Sequence, residues 1–245
     1  EKLLNLKPQQ KVNIKIPKGE QGELTSYELL VKNVERQVLP ELNDDFVKKL
    51  SKAYYNNNDL LQALGKSSED EIVKSIANSY NDNQQKSKDW LIENASNFFS
   101  AYEVPNILVA AGWYGLLASK IQEETKFQVT SFDMDPKCQE IGQHLHKNVK
   151  FKTANISDFE YTHNYNIIIC TSCEHIEQKV LDEWLSKRKK RALVILQSNN
   201  YNELTEHINC NRDLKEFEEK CGLKTIHWSG ELDLGKFKRF MVVGI

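Results

Sequence analysis

Two glycines, Gly112 and Gly115, enclose Trp113 and Tyr114 directly after the apolar run Ile107-Leu108-Val109-Ala110, and Asp133 follows 21 residues after Gly112. A glycine turn lets backbone pass close to a ligand, because a Cβ there would occupy the ligand's space. A carboxylate at the end of the next strand can accept hydrogen bonds from both hydroxyls of a ribose. The pattern therefore points to a cofactor that carries a nucleoside. A dinucleotide asks for G-x-G-x-x-G at a helix N-terminus. Trp113 and Tyr114 fill positions that such a loop keeps bare, which sets NAD behind. The competing account of the two aromatics is packing on the sheet edge.

Further functional groups gather after two later apolar runs. Thr171-Ser172-Cys173-Glu174-His175 follows Ile167-Ile168-Ile169-Cys170, and Gln197-Ser198-Asn199-Asn200-Tyr201 follows Ala192–Leu196. Glu174 and His175 are the candidates for orienting a substrate or taking its proton, although a helix cap and a structural pair would use the same residue types. Gln197, Asn199 and Asn200 are neutral hydrogen-bonding groups suited to a small polar substrate, and Ser172 adds a hydroxyl. Upstream, Lys88 is placed to meet a carboxylate of cofactor or substrate, in a helix with Gln85, Ser87 and Trp90; Arg239, Glu231 and Asp233 offer further charge. Cys173-x-His175 and His207-x-x-Cys210 would together supply the two thiolates and two imidazoles that zinc takes. The spacing is unconventional, both thiols also read as small buried groups, and no metal is expected.

These residues need elements to hold them. From Asn106 onward short β-branched runs alternate with amphipathic stretches: strands at 107–110, 129–132, 149–151, 167–170, 192–196 and 240–243, with helices at 116–123, 137–146, 180–187 and 214–221. Fully apolar strands separated by helices predict a mainly parallel sheet covered on both faces, a doubly wound α/β fold that binds ligands at the carboxyl ends of its strands. Before residue 105 the chain is polar and rich in Asn and Lys. Val12, Ile14 and Ile16 alternate at period two and predict a short strand. Leu29, Leu30, Val34 and Val38 predict a helix over Leu24–Leu39, stopped by Pro40, and Phe46, Val47, Leu50 and Tyr54 predict another. Ser68 with Glu71 has the form of a capping box, opening a helix that carries Ile72, Val73, Ile76 and Tyr80. The expected organisation is a helical N-terminal extension over 1–80 and an α/β domain over 81–245.

The composition is that of a globular chain. Of 245 residues, 40% are hydrophobic and 28% charged, and no apolar run approaches the roughly 20 residues of a membrane span. A net charge of -2 gives no general pull toward a polyanion, so nucleic acid is not the favoured partner despite Lys187-Arg188-Lys189-Lys190-Arg191, which also reads as a solvated helix end. Five cysteines without a C-x-x-C pair suit reduced thiols, and no signal peptide is evident, so a cytoplasmic location is expected. The missing initiator Met suggests a trimmed start. Oligomeric state is not legible.

The stretch from Asn106 to Ile245 resembles the class I S-adenosylmethionine-dependent methyltransferases, through Gly112-Trp113-Tyr114-Gly115 and Phe132-Asp133-Met134-Asp135-Pro136. It is most similar to methyltransferase-like proteins of bacteriophages, which would place it in a host cytoplasm. That likeness extends to Gln85–Leu91, Thr171–His175, Gln197–Asn200, Gly230–Asp233 and Lys238–Met241. The resemblance implies a Rossmann-like domain and S-adenosyl-L-methionine as cofactor. It implies that Ala111, Gly112, Trp113, Tyr114 and Gly115 cradle the methionine part, that Asp133 and Met134 hold the ribose side, and that Asn155, Ile156 and Thr171 complete the site. Asn155 stands where such enzymes often carry an acid, and its amide can accept from adenine N6 or donate to N1. Ala110-Ala111 stands where a further glycine is common. The implied activity is methyl transfer to a small polar or nucleotide-like acceptor. Aminocarboxypropyl transfer, cofactor cleavage and a non-catalytic Rossmann-like binding subunit remain the alternatives, since a binding fold does not fix the reaction.

Overall fold

In the computed structural model, which describes residues 11–18, 23–30 and 70–245, Val12, Ile14 and Ile16 lie in strand β1 (Lys11–Lys18), as their alternation predicts. β1 pairs antiparallel with β2 (Glu23–Leu30), in a register that sets Val12 opposite Leu29 and Ile14 opposite Tyr27. This corrects the helix expected from Leu24. Its first residues are strand, because Thr25 and Tyr27 are strand formers and an eight-residue partner supplies the ladder hydrogen bonds, which overrides the apolar spacing. The rest of that predicted helix and the one at Phe46–Tyr54 lie outside the described residues. The hairpin belongs to a compact unit of residues 1–42, and everything described from residue 70 onward belongs to a second unit of residues 43–245.

The second unit opens with α1 (Glu71–Ser79) and α2 (Asp82–Phe99). The N-cap of α1 is Asp70, whose side chain accepts from the Ile72 N–H; Ser68 of the expected capping box lies outside the described residues. On α2, Ser87, Leu91, Ala95 and Phe99 recur every four residues and form the buried stripe, with Lys88 beside it.

There follow β3 (Asn106–Ala110), α3 (Leu116–Thr125), β4 (Gln128–Asp133), α4 (Pro136–Leu145), β5 (Lys150–Thr153), β6 (Ile167–Cys170), α5 (Gln178–Ser186), β7 (Leu193–Asn199), α6 (Leu214–Lys220), β8 (Ile226–Asp233) and β9 (Lys238–Gly244). These strands form one sheet in the order β5-β4-β3-β6-β7-β9-β8. β5, β4, β3, β6 and β7 are mutually parallel, and β9 is antiparallel to both neighbours, so β8 again runs with β7. The order reverses between β4 and β6 on either side of β3, which opens a crevice at the β3 carboxyl end. β3 shows why the strands read as continuous apolar runs. Leu108 and Ala110 enter the core under α5 and α6, whereas Ile107 and Val109 enter the opposite core with Leu91, Ala95 and Ile121.

Two boundaries differ from the expectation in ways that matter for the site. β7 runs on through Asn199 and pairs Gln197 with Met241 and Asn199 with Arg239, so these polar residues are sheet residues rather than loop. β8 is an additional edge strand, half exposed and irregular near Trp228, which blurs its alternation in sequence. No helix among the described residues is long and apolar enough to cross a membrane.

Candidate functional site

The loop after β3 sits in an unusual backbone conformation. Ala111, Trp113 and Gly115 have φ of 49°, 50° and 89°, a region that costs an L-residue roughly 1–2 kcal/mol. Three contacts hold it. The Gly112 N–H donates to the Phe132 carbonyl (3.0 Å), the Trp113 N–H donates to Asp133 Oδ2 (3.0 Å), and the Gly115 N–H donates to the Gly112 carbonyl (2.9 Å). Both glycines also serve packing, and Gly112 borders the inner pocket described below. A Cβ on Gly112 would lie 2.0 Å from Ser131 Oγ on β4, and one on Gly115 would lie 2.4 Å from the Phe151 ring. Gly115 caps α3 and borders neither pocket described below.

Around this loop the carboxyl ends of β3, β4, β5 and β6 form a cleft with a cavity of about 380 Å³, inside the range of small-molecule sites. Ala111, Trp113, Asp133, Met134, Asn155, Ile156 and Ser172 border it, with Phe132, Ala154 and Ile176 as apolar walls. Each Asp133 oxygen already accepts one backbone N–H, Oδ2 from Trp113 and Oδ1 from Asp135 (3.2 Å). A carboxylate has about four acceptor positions, so two remain for a pair of hydroxyls. Asn155 Oδ1 accepts from the Ser157 N–H and hydroxyl, both at 3.1 Å, which leaves its NH₂ as the group to offer. Met134, 70% exposed, forms the rim.

A second, smaller pocket of about 80 Å³ adjoins the first through Ala111, Trp113, Ser172 and His175, and reaches inward to Gln84, Lys88, Thr171, Glu174 and Arg239. Its floor is charged and buried. Lys88, Glu174 and Arg239 are 7%, 2% and 5% exposed. Lys88 Nζ donates to Thr171 Oγ1 (3.3 Å), and Arg239 donates to the Thr171 carbonyl (3.0 Å) and to Glu174 Oε1 (3.2 Å). Asn199 Nδ2 donates to the same Glu174 oxygen at 2.7 Å. Glu174 Oε2 and Arg239 Nε are buried without a partner. Burial, and then repulsion from Arg239, push the Lys88 ammonium down to about 7, against the pull of Glu174 and Cys170. Two cations against one carboxylate leave this floor short of negative charge, as a site for an anionic group should be.

At the pocket mouth His175 is exposed, with Nδ1 against the Glu206 carbonyl (3.2 Å). The His207 ring crosses it edge-on at 4.6 Å, and His207 Nδ1 bonds the Tyr201 carbonyl. A carbonyl only accepts, so Nδ1 carries the proton in both rings and Nε2 keeps a lone pair.

Several expected residues have other work. The Tyr114 ring is 3% exposed and packs with Ile76, Ala77 and Tyr80 of the α1 region, its hydroxyl on Ser75 (3.1 Å), while also bordering the inner pocket. Gln197 is fully buried and ties β7 to α2, accepting from Ser87 Oγ (3.0 Å). Asn199 positions Glu174 from beneath and caps the Tyr201 N–H, and Asn200 pins the start of β9 through the Lys238 N–H (2.8 Å). Glu231 pairs with Lys238, and Asp233 accepts from the Gly235 N–H. Cys173 is buried, its Sγ directed at the Cys170 carbonyl, and desolvation holds its thiol far above the usual range, so the Cys-His-His-Cys set is not assembled. Gln84 and Glu206 line the pockets without having stood out in sequence, because a lone Gln and a lone loop Glu carry no spacing signal.

No protein-family model matches the chain. Trigger factor from Prosthecochloris aestuarii (strain DSM 271 / SK 413) is 30% identical over 165 residues, which cover 54% of this chain and 38% of that protein. The chain thus matches well under half of that relative's length. Among solved structures, magnesium protoporphyrin IX methyltransferase from Synechocystis PCC 6803 with bound SAH is similar at a TM-score of 0.53 and 13% identity, over 80% of this chain and 98% of that one. The N-methyltransferase NodS from Bradyrhizobium japonicum WM9 gives 0.54 and 11%, over 68% and 97%. An S-adenosylmethionine-dependent methyltransferase from Clostridium acetobutylicum ATCC 824 gives 0.50 and 13%, over 66% and 91%. The fold is that of the class I methyltransferases. None of these comparisons supports the bacteriophage part of the resemblance.

Proposed function

We propose that this chain is an S-adenosyl-L-methionine-dependent methyltransferase acting on a small polar or nucleotide-like acceptor. The observation that carries the reading is the continuity of two pockets at the β3 crevice. One has Asp133 at its edge with two acceptor positions to spare, and the other has a buried cationic floor. The residues fit the cofactor in order. Asp133 would hold the ribose hydroxyls, Phe132, Ala154, Ile156 and Ile176 would enclose the adenine, and the Asn155 NH₂ would donate to adenine N1. Lys88 and Arg239, with Gln84, would meet the methionine carboxylate. Bound there, the cofactor supplies an electrophilic methyl group on sulfur.

The chain's own contribution is mostly orientation, which can supply much of the barrier reduction in such a transfer. His175 borders both pockets with its Nδ1 occupied by the Glu206 carbonyl, so its Nε2 is the atom to take an acceptor's proton. Glu174 is tied to Arg239 and Asn199 through one oxygen, which positions Arg239 in the floor. Ser172 borders both pockets and Thr171 the inner one, and the hairpin unit of residues 1–42 lies outside this assignment.

Calorimetry with S-adenosylmethionine tests the reading. Binding should be saturable, and D133N should weaken it about tenfold or more, the loss of one good hydrogen bond to a charged group. No detectable binding at millimolar cofactor would refute it. With an acceptor in hand, S-adenosylhomocysteine as product indicates methyl transfer, and methylthioadenosine indicates the aminocarboxypropyl or cleavage alternatives.

A further inference from the structure

We infer that Glu174, His175 and His207 form a binding site for one divalent transition-metal ion at the mouth of the inner pocket. Each of the three offers a ligand atom, and these atoms lie within 4.8 Å of one another. Two independent features show that the groups are set up as ligands. Both imidazoles carry their proton on Nδ1, fixed by backbone carbonyls of Glu206 and Tyr201, which is how proteins orient metal-binding histidines and leave Nε2 free. Glu174 is 2% exposed, and its Oε2 is buried with no partner, while Oε1 is held by Arg239 and Asn199. A buried carboxylate oxygen left unmatched costs free energy unless something positive arrives. Arg239 has already spent its bond on the other oxygen, and its remaining unpartnered nitrogen, Nε, adds no contact to Oε2.

Two imidazoles and one carboxylate suit zinc and its neighbours in the first transition row better than magnesium or calcium, which prefer oxygen. Ligand atoms around such an ion stand roughly 3.3 Å apart, so the three groups draw together when it binds. Three protein ligands leave an open coordination position, as in catalytic sites. His175 borders both pockets, so that position faces the proposed acceptor region. If the methyltransferase reading holds, on which this last step rests, the ion favours a hydroxyl acceptor. It lowers the acceptor's pKa so that the O–H proton passes to bulk water at the exposed mouth, sparing His175 that role. Cys210, whose Sγ is 3.9 Å from His207 Nδ1, is directed at Asn199 Oδ1 and the Tyr201 carbonyl and is not a ligand.

The test is cation binding by the full chain without cofactor. After chelator treatment and dialysis, titration with Co²⁺ followed by visible absorption, and with Zn²⁺ followed by calorimetry and thermal shift, should show one ion per chain. H207A, H175A and E174Q should each weaken Zn²⁺ binding at least tenfold, whereas C210S should leave it unchanged. H207A is the decisive variant, since His207 is only half-buried and its loss leaves the floor intact. Absence of stoichiometric binding, binding indifferent to H207A, or loss of binding in C210S would each overturn the assignment. The cofactor titration is run separately. S-adenosylmethionine binding without metal binding defeats only this inference, and metal binding without S-adenosylmethionine binding defeats only the methyltransferase reading.

Discussion

Lys88 gives the sharpest quantitative consequence of this geometry. The side chain is 7% exposed, donates to Thr171, and faces Arg239, Glu174 and Cys170, with its ammonium pushed from 10.5 down to about 7. Between those two values the unfolded chain holds a proton that the native protein has released, so stability rises with pH, by about 1.4 kcal/mol per unit for this group. Below the native value both states are protonated and the contribution is flat. From about pH 6 to about pH 8.5 the gain integrates to roughly 2 kcal/mol. Lys88→Met keeps the length of the side chain and removes the charge, so it should raise stability at the acid end and abolish that slope. Urea denaturation of wild type and variant at both pH values, in chelator, measures it. The buried thiols of Cys138, Cys173 and Cys221 are pushed upward and lower stability at alkaline pH, but they do so equally in both proteins and cancel in the difference. The same variant should lose most of its affinity for S-adenosylmethionine, and binding to wild type near neutral pH should take up protons, visible as a buffer-dependent enthalpy. Parallel stability profiles for the two proteins would refute the account of Lys88 as a desolvated cation awaiting an anion.

Other expectations follow from the loop and the helical layer. Gly112→Ala should destabilise by about 2 kcal/mol through its clash with Ser131 Oγ, and Ser131→Ala should restore most of that, since the next Ser131 atom stands 3.4 Å away; denaturation of the double variant checks the coupling. Ser131→Ala alone should be near neutral, because its hydroxyl has no partner. Gly115→Ala should cost more, about 3 kcal/mol, because a φ of 89° and contact with Phe151 both oppose it. His146 is bonded to the Tyr80 hydroxyl (2.7 Å), and burial pushes it down from 6.5 to about 4. Its neutral form belongs to the native state, so this stability is present above pH 6.5 and should be lost as pH falls toward about 4, up to roughly 3 kcal/mol. His146→Gln should flatten the acid limb of the melting profile.

The sequence by itself determined the α/β alternation, because strands buried on both faces must be apolar throughout and their helices must carry one apolar stripe. It also determined the glycine turn and Asp133, which act within one β-turn-α-β span, where chain spacing and distance in space still correspond. Other decisions needed tertiary structure. Thr25 and Tyr27 are strand because of a partner eight or more residues away in the chain, and no local spacing reports that. Gln197 and Asn199 read as loop groups, yet β9, which returns antiparallel forty residues later, extends β7 past them and buries both. Whether Gly112 clears a ligand or clears Ser131 depends on the approach of two strands. The charged floor joins Lys88 of α2, Thr171 and Glu174 of the segment after β6, Asn199 of β7 and Arg239 of β9, and only Thr171 and Glu174 are near enough in sequence for a motif to connect. Burial and mutual charge, which only the folded chain creates, are what turn these ordinary polar residues into a site.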